Sequence, residues 1–245
     1  MGDYGKAADL YDLLYHGIKD YRAEAQRLAE LIRERRPGAH RLLDVGCGTG
    51  EHARHLSALG FEVDGVDLEP AFVEIAREKC PQGRFEVADM SVFDLPGRYD
   101  VVLSLFSAIG YVRTPDALRR TLVRMAAHLA PDGILVVEPW FEPGQLTDRF
   151  VTLATGEKED LKVCRMSRTV IEGTISRLEF EYLVGRPGGI ERRSEVHELG
   201  IFTRTEMEEA FRGAGLGVEH VPEGLDRRGL YVGWPANEDS GRGPA

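Results

Sequence analysis

Apolar residues recur at helical spacing over residues 7–15 and 20–36, and in the second stretch Tyr21, Ala25, Leu28, Leu31 and Ile32 share one face. Pro37, inside the segment Arg35 to Gly38, ends that helix. Short apolar runs then alternate with helical patterns. The runs predict strands at 41–45, 61–66, 83–87, 99–104 and 132–138, and the intervening patterns predict helices at 50–58, 70–78 and 115–129. This alternation implies a parallel sheet joined by right-handed crossovers.

After Pro139 the rhythm changes. Segments 148–155, 161–171, 174–185 and 189–202 are rich in Val, Ile, Thr, Tyr and Phe, are divided by glycine-containing turns, and have no helical pattern between them. They predict an antiparallel meander. Helical spacing returns at Thr203, where Thr203 and Glu206 have capping-box spacing, and it closes at Gly213 to Gly217. Strands at 217–222 and 229–234 complete the sheet, and the polar end 237–245 is expected to be disordered.

Composition narrows the partners. A formal net charge of −10 over 245 residues argues against nucleic acid or an anionic membrane as the main partner and points to a small molecule. The three cysteines, Cys47, Cys80 and Cys164, have neither disulfide-framework nor zinc spacing, and the histidines show no paired ligand spacing, so no metal is expected. No basic segment followed by an apolar core begins the chain, and no apolar run reaches spanning length. A cytoplasmic protein is the expectation.

The stretch Leu42 to Leu56, LLDVGCGTGEHARHL, places Gly46, Gly48 and Gly50 between a buried strand and a helix, the crevice in which open parallel sheets bind cofactors. The third glycine of the dinucleotide fingerprint is missing. Acidic residues stand at three successive strand ends: Asp44, Asp67 and Asp89. Asp67 lies 21 residues beyond Gly46, the distance at which one βα step brings a carboxylate to ribose hydroxyls, and Asp89 can accept from an adenine amino group. Without a basic residue, the turn disfavours a pyrophosphate and suits a cationic sulfonium.

LLDVGCGTG, GVDLEP, ADM and LAPDGILVVEPW together resemble the successive motifs of class I S-adenosylmethionine-dependent methyltransferases, over roughly residues 40–140. DYGKAADLYDLLYHG, KDY, LFSAIGY, VVEPW and RGLYVG resemble, over most of the chain, the N,N-dimethyltransferases of nucleotide-linked 3-amino deoxysugars of the desosamine and mycaminose type. The resemblance implies an α/β fold: a Rossmann-like sheet with helices on both faces and an inserted antiparallel lid. Residues 1–140 and 203–236 would form the methyltransferase domain with an N-terminal helical cap, and 141–202 the lid, through which a homodimer assembles. It further implies S-adenosylmethionine as cofactor, S-adenosylhomocysteine as product, and a dTDP-linked amino sugar as acceptor.

On the same resemblance Asp67 and Asp89 bind ribose and adenine, Met90 packs on the adenine, and Tyr4 and Tyr111 border the methyl and the amine as catalytic residues. Candidate cofactor contacts are Tyr11 and Tyr21 from the first helices, Asp44, Gly46, Gly48, Gly50, Leu68, and Leu105 with Ser107 after the fourth strand. Glu138 and Trp140 are candidate walls of the acceptor pocket, and Arg228 a candidate diphosphate ligand. The chain departs from that family at Trp140-Phe141 and at GLDRRGL, where Asp226 near a diphosphate is unfavourable unless it pairs with an arginine. An O- or N-methyltransferase for a free metabolite, an NAD-linked oxidoreductase and a non-catalytic cofactor-binding protein remain as alternatives.

Overall fold

The computed structural model describes residues 8–226 and 228–236. Tyr4, Arg227 and the tail 237–245 therefore lie outside the described residues. Two helices open the chain, α1 (Ala8–Tyr15) and α2 (Tyr21–Arg35). There follow β1 (Arg41–Val45), α3 (Glu51–Ala58), β2 (Glu62–Asp67), α4 (Pro70–Lys79), β3 (Phe85–Val87) and β4 (Tyr99–Ser104). A 3-10 helix (Ala108–Val112) leads to α5 (Pro115–Ala126) and β5 (Leu129–Val137). The antiparallel strands are β6 (Val151–Lys158), β7 (Leu161–Glu172), β8 (Ile175–Arg186) and β9 (Gly189–Gly200), and the chain returns through α6 (Arg204–Gly213), β10 (Leu216–Val221) and β11 (Leu230–Pro235).

Seven strands form one sheet in the order β3-β2-β1-β4-β5-β11-β10. The first five run parallel, and β11 enters antiparallel to both β5 and β10. The order reverses between β1 and β4, so the crevice that binds ligands in open sheets opens at the carboxyl ends of these two strands. One apolar core packs α2, α3 and α4 on one face through residues such as Leu28, Ile32, Leu56 and Val73. The other packs α5 and α6 through Leu118, Leu122, Met125 and Phe211.

Local chemistry explains the helix starts. Asp20 accepts from Ala23 N–H at 2.9 Å at the head of α2, and the predicted capping box of Thr203 and Glu206 is formed at the head of α6. Pro115 after Thr114 starts α5 in the same way.

The largest differences from the expected boundaries are of three residues. Helix α5 stops at Ala126 rather than 129, and β5 starts at Leu129, because Leu129 pairs with Tyr99 before a bulge re-registers Ile134 onto Val101. Strand β6 begins at Val151 rather than 148, since Arg149 adopts a left-handed φ of 57° and the Asp148 carboxylate accepts from Ile171 N–H instead of extending the ladder. The 3-10 helix at 108–112 carries no periodicity and was not anticipated.

The strands β6 to β9 form a second sheet. Its inner face meets α1 in a third core of Leu10, Leu14, Val163, Phe180, Tyr182 and Val184. Gly156 permits this docking: a Cβ there would stand 2.8 Å from Leu13 Cγ. The antiparallel sheet is thus fastened to the N-terminal helix, which itself lies beside the glycine turn.

Candidate active site

The turn after β1 is built from left-handed glycines, with φ of 81° at Gly46, 54° at Gly48 and 76° at Gly50. Gly46 is irreplaceable on a second count, because a Cβ would lie 2.6 Å from Ala108 Cβ of the 3-10 helix. Gly46 and Cys47 donate to Val66 O at 2.8 and 3.0 Å, which pins the turn to the end of β2. There the Asp67 carboxylate accepts from Gly48 N–H at 2.8 Å with one oxygen and from Glu69 N–H at 2.9 Å with the other. Burial raises its pKa, and these backbone donors oppose the rise.

Asp44 sits beneath the turn, 1% exposed, and its Oδ1 has no hydrogen-bond partner among the described residues. Burial pushes this carboxyl up to about 6, against the pull of His52 and with the push of Asp67. A buried carboxylate oxygen without a partner is an open demand for a cationic donor.

The two N-terminal helices close over this crevice. Thr49 donates to Asp12 Oδ1 at 2.6 Å, and Lys79 bonds Asp12 and, at 2.7 Å, Glu51. Burial raises Glu51, but Lys79 and Arg54 outweigh it and hold the carboxyl down at about 2. His52 lies 2.8 Å from Glu24, which also pairs with Lys19 at 2.9 Å. The Tyr21 ring meets His52 edge-on at 5.0 Å, and burial raises its phenol far above the ordinary tyrosine range. Tyr11 packs between Tyr15 and Phe72, at 4.4 and 5.0 Å between centroids. Thr49 lies within the glycine motif, whereas Asp12, Lys79, Lys19, Glu24 and His52 carry no motif spacing by which the sequence could have shown them.

The remaining candidates divide into two groups. Leu68 is exposed after Asp67, Asp89 is exposed and bonds Ser91, and Met90 is half-buried with its Cε 3.5 Å from a Cβ built on Gly46. Leu105 is buried in the first core. Phe106 and Ser107 both take left-handed φ, 50° and 63°, a costly backbone for residues with a Cβ. Glu138, wholly buried, holds this turn by accepting from Phe106 N–H, while Ser107 donates to Pro139 O at 2.7 Å.

Arg228 completes the arrangement. It donates to Glu138 at 2.8 Å and to Ser107 Oγ at 2.7 Å, and it pairs with Asp226 through both its side chain and its backbone N–H. Asp226 is thereby held below the usual carboxylate range: burial raises it, and the bonds from Arg228 outweigh burial. The condition set by the sequence, that Asp226 needs an arginine, is met by Arg228 itself. Its guanidinium also lies 5.5 to 5.9 Å from the ring centroids of Phe106, Trp140 and Phe141. Trp140 Nε1 is buried with no partner among the described residues. Tyr111, half-buried on the 3-10 helix, has its hydroxyl 3.2 Å from His197 Nδ1 of β9.

Among the described residues there is no group of three or more His, Cys, Asp or Glu able to hold a metal, and no helix long and apolar enough to cross a membrane. The strand order, the glycine turn and the acids at the ends of β1 and β2 together define a class I S-adenosylmethionine-dependent methyltransferase fold. A methyltransferase domain model matches residues 42–133. The dTDP-3-amino-3,6-dideoxy-alpha-D-glucopyranose N,N-dimethyltransferase of Streptomyces fradiae is 42% identical over 238 residues, covering 96% of this chain and 93% of that protein. The crystal structure of Streptomyces venezuelae DesVI is 40% identical with a TM-score of 0.89, over 94% of this chain and 99% of that one. S-adenosylmethionine-bound CalS10, an amino pentose methyltransferase from Micromonospora echinaspora, is 40% identical with a TM-score of 0.84, over 93% and 97%. The chain belongs to this family of S-adenosylmethionine-dependent sugar N-methyltransferases.

Proposed function

We propose that the protein transfers methyl groups from S-adenosylmethionine to the 3-amino group of a dTDP-linked deoxysugar, forming the N,N-dimethyl product. One observation carries this reading: the likeness to dTDP-amino-sugar N,N-dimethyltransferases extends over 96% of the chain, whereas the methyltransferase domain model stops at residue 133. The similarity therefore includes the antiparallel sheet and the C-terminal loop, the parts free to define an acceptor.

The cofactor residues fit a sulfonium nucleoside. Asp67 has its carboxylate at the end of β2 for ribose hydroxyls, Asp89 and Met90 border the adenine, and Gly46, Gly48 and Gly50 let the backbone approach. Asp44 answers the cofactor's ammonium group, and Tyr11, Tyr21, Leu68, Leu105 and Ser107 shape the crevice. When bound, the cofactor supplies an electrophilic methyl group. The chain's own task is to strip water from a neutral amine and hold its lone pair in line. We assign Tyr111 and Trp140 to orienting that amine, Tyr4 shares this role by resemblance, and the strut of Glu138 and Arg228 holds the Phe106–Ser107 turn.

The commitment of Arg228 to two carboxylates favours, as a second reading, an acceptor that carries no diphosphate. Rates of S-adenosylhomocysteine release with a dTDP-3-amino-3,6-dideoxyhexose and with the corresponding free amino sugar separate the two. Preference for the nucleotide-linked sugar supports the main reading, and equal rates support the second.

Asp44 gives a pH prediction. Its folded pKa of about 6 lies above the usual 3.8, so the neutral form predominates in the free protein only below about pH 6, and its ionisation burdens stability as pH rises through that window. A bound ammonium favours the carboxylate. Below about pH 6 binding must therefore release a proton, and the dissociation constant for S-adenosylmethionine should be about tenfold weaker at pH 5 than at pH 7. In Asp44→Asn the calorimetric affinity should be weaker and flat over that range; an unchanged slope would place the titration elsewhere.

Homodimerisation through the antiparallel sheet is part of the proposal. Its outward face presents Leu153, Met166, Leu183 and Val196, each more than 40% exposed, and Leu153 pairs directly with Met166. Light scattering should give twice the chain mass for the wild type and one chain mass for the double variant Leu153→Asp, Met166→Asp. A dimer in both would move the interface off this face.

A further inference from the structure

Three cations gather around the Phe106 ring, just after β4. Lys19 Nζ stands 3.9 Å from its centroid and the Arg228 guanidinium 5.5 Å. Both are neutralised by carboxylates of the chain, Lys19 by Glu24 at 2.9 Å and Arg228 by Glu138 and Asp226. The third, Arg165 of β7, reaches the ring through Tyr15 of α1. The Tyr15 ring meets Phe106 edge-on at 5.2 Å, and Arg165 Nη1 donates to Tyr15 Oη at 3.0 Å.

Arg165 is 7% exposed and its surroundings are aromatic, with the guanidinium 4.9 Å from the Tyr15 centroid and 4.5 Å from that of Phe180. Among the described residues no carboxylate pairs with it, and its Nε is buried without a partner. Tyr182, opposite Arg165 on β8, donates to Glu195 of β9 at 2.8 Å, which leaves that carboxylate two strands away. Burying a charge without a counterion is costly, and ring faces offset only part of the cost. The fold keeps here a positive charge that no acid beside it neutralises.

Tyr15 carries that charge toward the crevice. Its oxygen already accepts from the guanidinium, so its own proton is left to donate, and among the described residues that proton has no acceptor. A phenol polarised in this way is a strengthened donor. Tyr15 is half-buried whereas Arg165 behind it is buried, so a ligand meets the hydroxyl first. A diphosphate suits such a pair, because its ionised oxygens only accept and charge-assisted bonds to them are the strong kind.

We propose that Tyr15 and Arg165 form the site for the acceptor's diphosphate: Tyr15 donates its hydroxyl proton to a phosphoryl oxygen, and Arg165 is the positioning residue that aims the phenol and supplies positive charge from behind it. This rests on the nucleotide-linked reading of the acceptor. It also answers the commitment of Arg228 to Glu138 and Asp226, since the cation that Arg228 withholds comes from the antiparallel sheet. Helix α1 and β7 then select an acceptor with an anionic tail.

The test compares dTDP with thymidine as ligands of the full chain saturated with S-adenosylhomocysteine, by calorimetry and without turnover. The wild type should bind dTDP at least about tenfold tighter than thymidine. Arg165→Met should remove most of that preference and leave the affinities for thymidine and S-adenosylhomocysteine unchanged. Arg165→Lys should recover part of it, because a point charge replaces a planar fork. Tyr15→Phe, which keeps the ring against Phe106, should weaken dTDP about fivefold or more, and it decides the matter if Arg165→Met does not fold. With the nucleotide sugar as substrate, Arg165→Lys should raise KM more than it lowers kcat. A dTDP preference that survives Tyr15→Phe and every folded Arg165 variant would overturn the assignment alone. So would an equal loss of S-adenosylhomocysteine affinity, which would make the pair only a seat for α1. Equal wild-type affinity for dTDP and thymidine would sink the nucleotide reading, and this assignment with it.

Discussion

Arg228→Met should lower folding stability by about 3–5 kcal/mol, the cost of leaving one member of a buried ion pair uncompensated. Glu138 is wholly buried, burial raises its pKa, and Arg228 is the first charge that opposes the rise. The substitution removes that charge and also the donor to Ser107 Oγ, so the left-handed pair Phe106-Ser107 loses part of what holds it. In urea the midpoint should fall with the slope unchanged. Adding Glu138→Gln should recover part of the loss, because the two residues act on each other and their effects are not additive. Wild-type stability with weakened acceptor binding would instead make Arg228 a substrate cation and not a strut.

Asp67→Ala should weaken S-adenosylmethionine binding by about 1–3 kcal/mol, roughly 5- to 150-fold in the dissociation constant. The carboxylate has two roles. It is the acceptor placed for ribose hydroxyls, and in the free protein it already ties Gly48 and Glu69 N–H groups together across the turn. Asp67→Asn keeps the shape and one acceptor, and it should fall between the wild type and the alanine variant. Calorimetry reads both; an unchanged affinity in Asp67→Ala would remove this carboxylate from the cofactor site.

The parallel half of the fold was legible because its signals are local. Continuous apolar strands, proline and glycine breaks, and glycines at 46, 48 and 50 each report a backbone need within a few residues, and the alternation of strands with helices implies parallel pairing. The return of helix at Thr203 was readable for the same reason, since a capping box spans only four residues.

What was not legible depends on distant partners. Glu138 and Arg228 look like pocket ligands in a sequence, and only folding brings them to 2.8 Å across 90 residues. Asp12 reads as one acid on an amphipathic helix, yet it links α1 to Thr49 and Lys79. Glu195, His197 and Leu199 alternate along β9 in the way a solvated face does, but here that face is the buried one. Polar alternation marks the side on which a residue lies, and burial is decided by whatever docks there. In this fold the 3-10 helix and α1 dock there, and the first of them has no periodic signal.

The most direct test of the proposed activity is mass spectrometry of the purified protein with S-adenosylmethionine and a dTDP-3-amino-3,6-dideoxyhexose, followed over time. The account predicts successive gain of one and then two methyl masses on the sugar nucleotide. No gain, while S-adenosylhomocysteine still binds tightly, would contradict it and direct the site to a different acceptor.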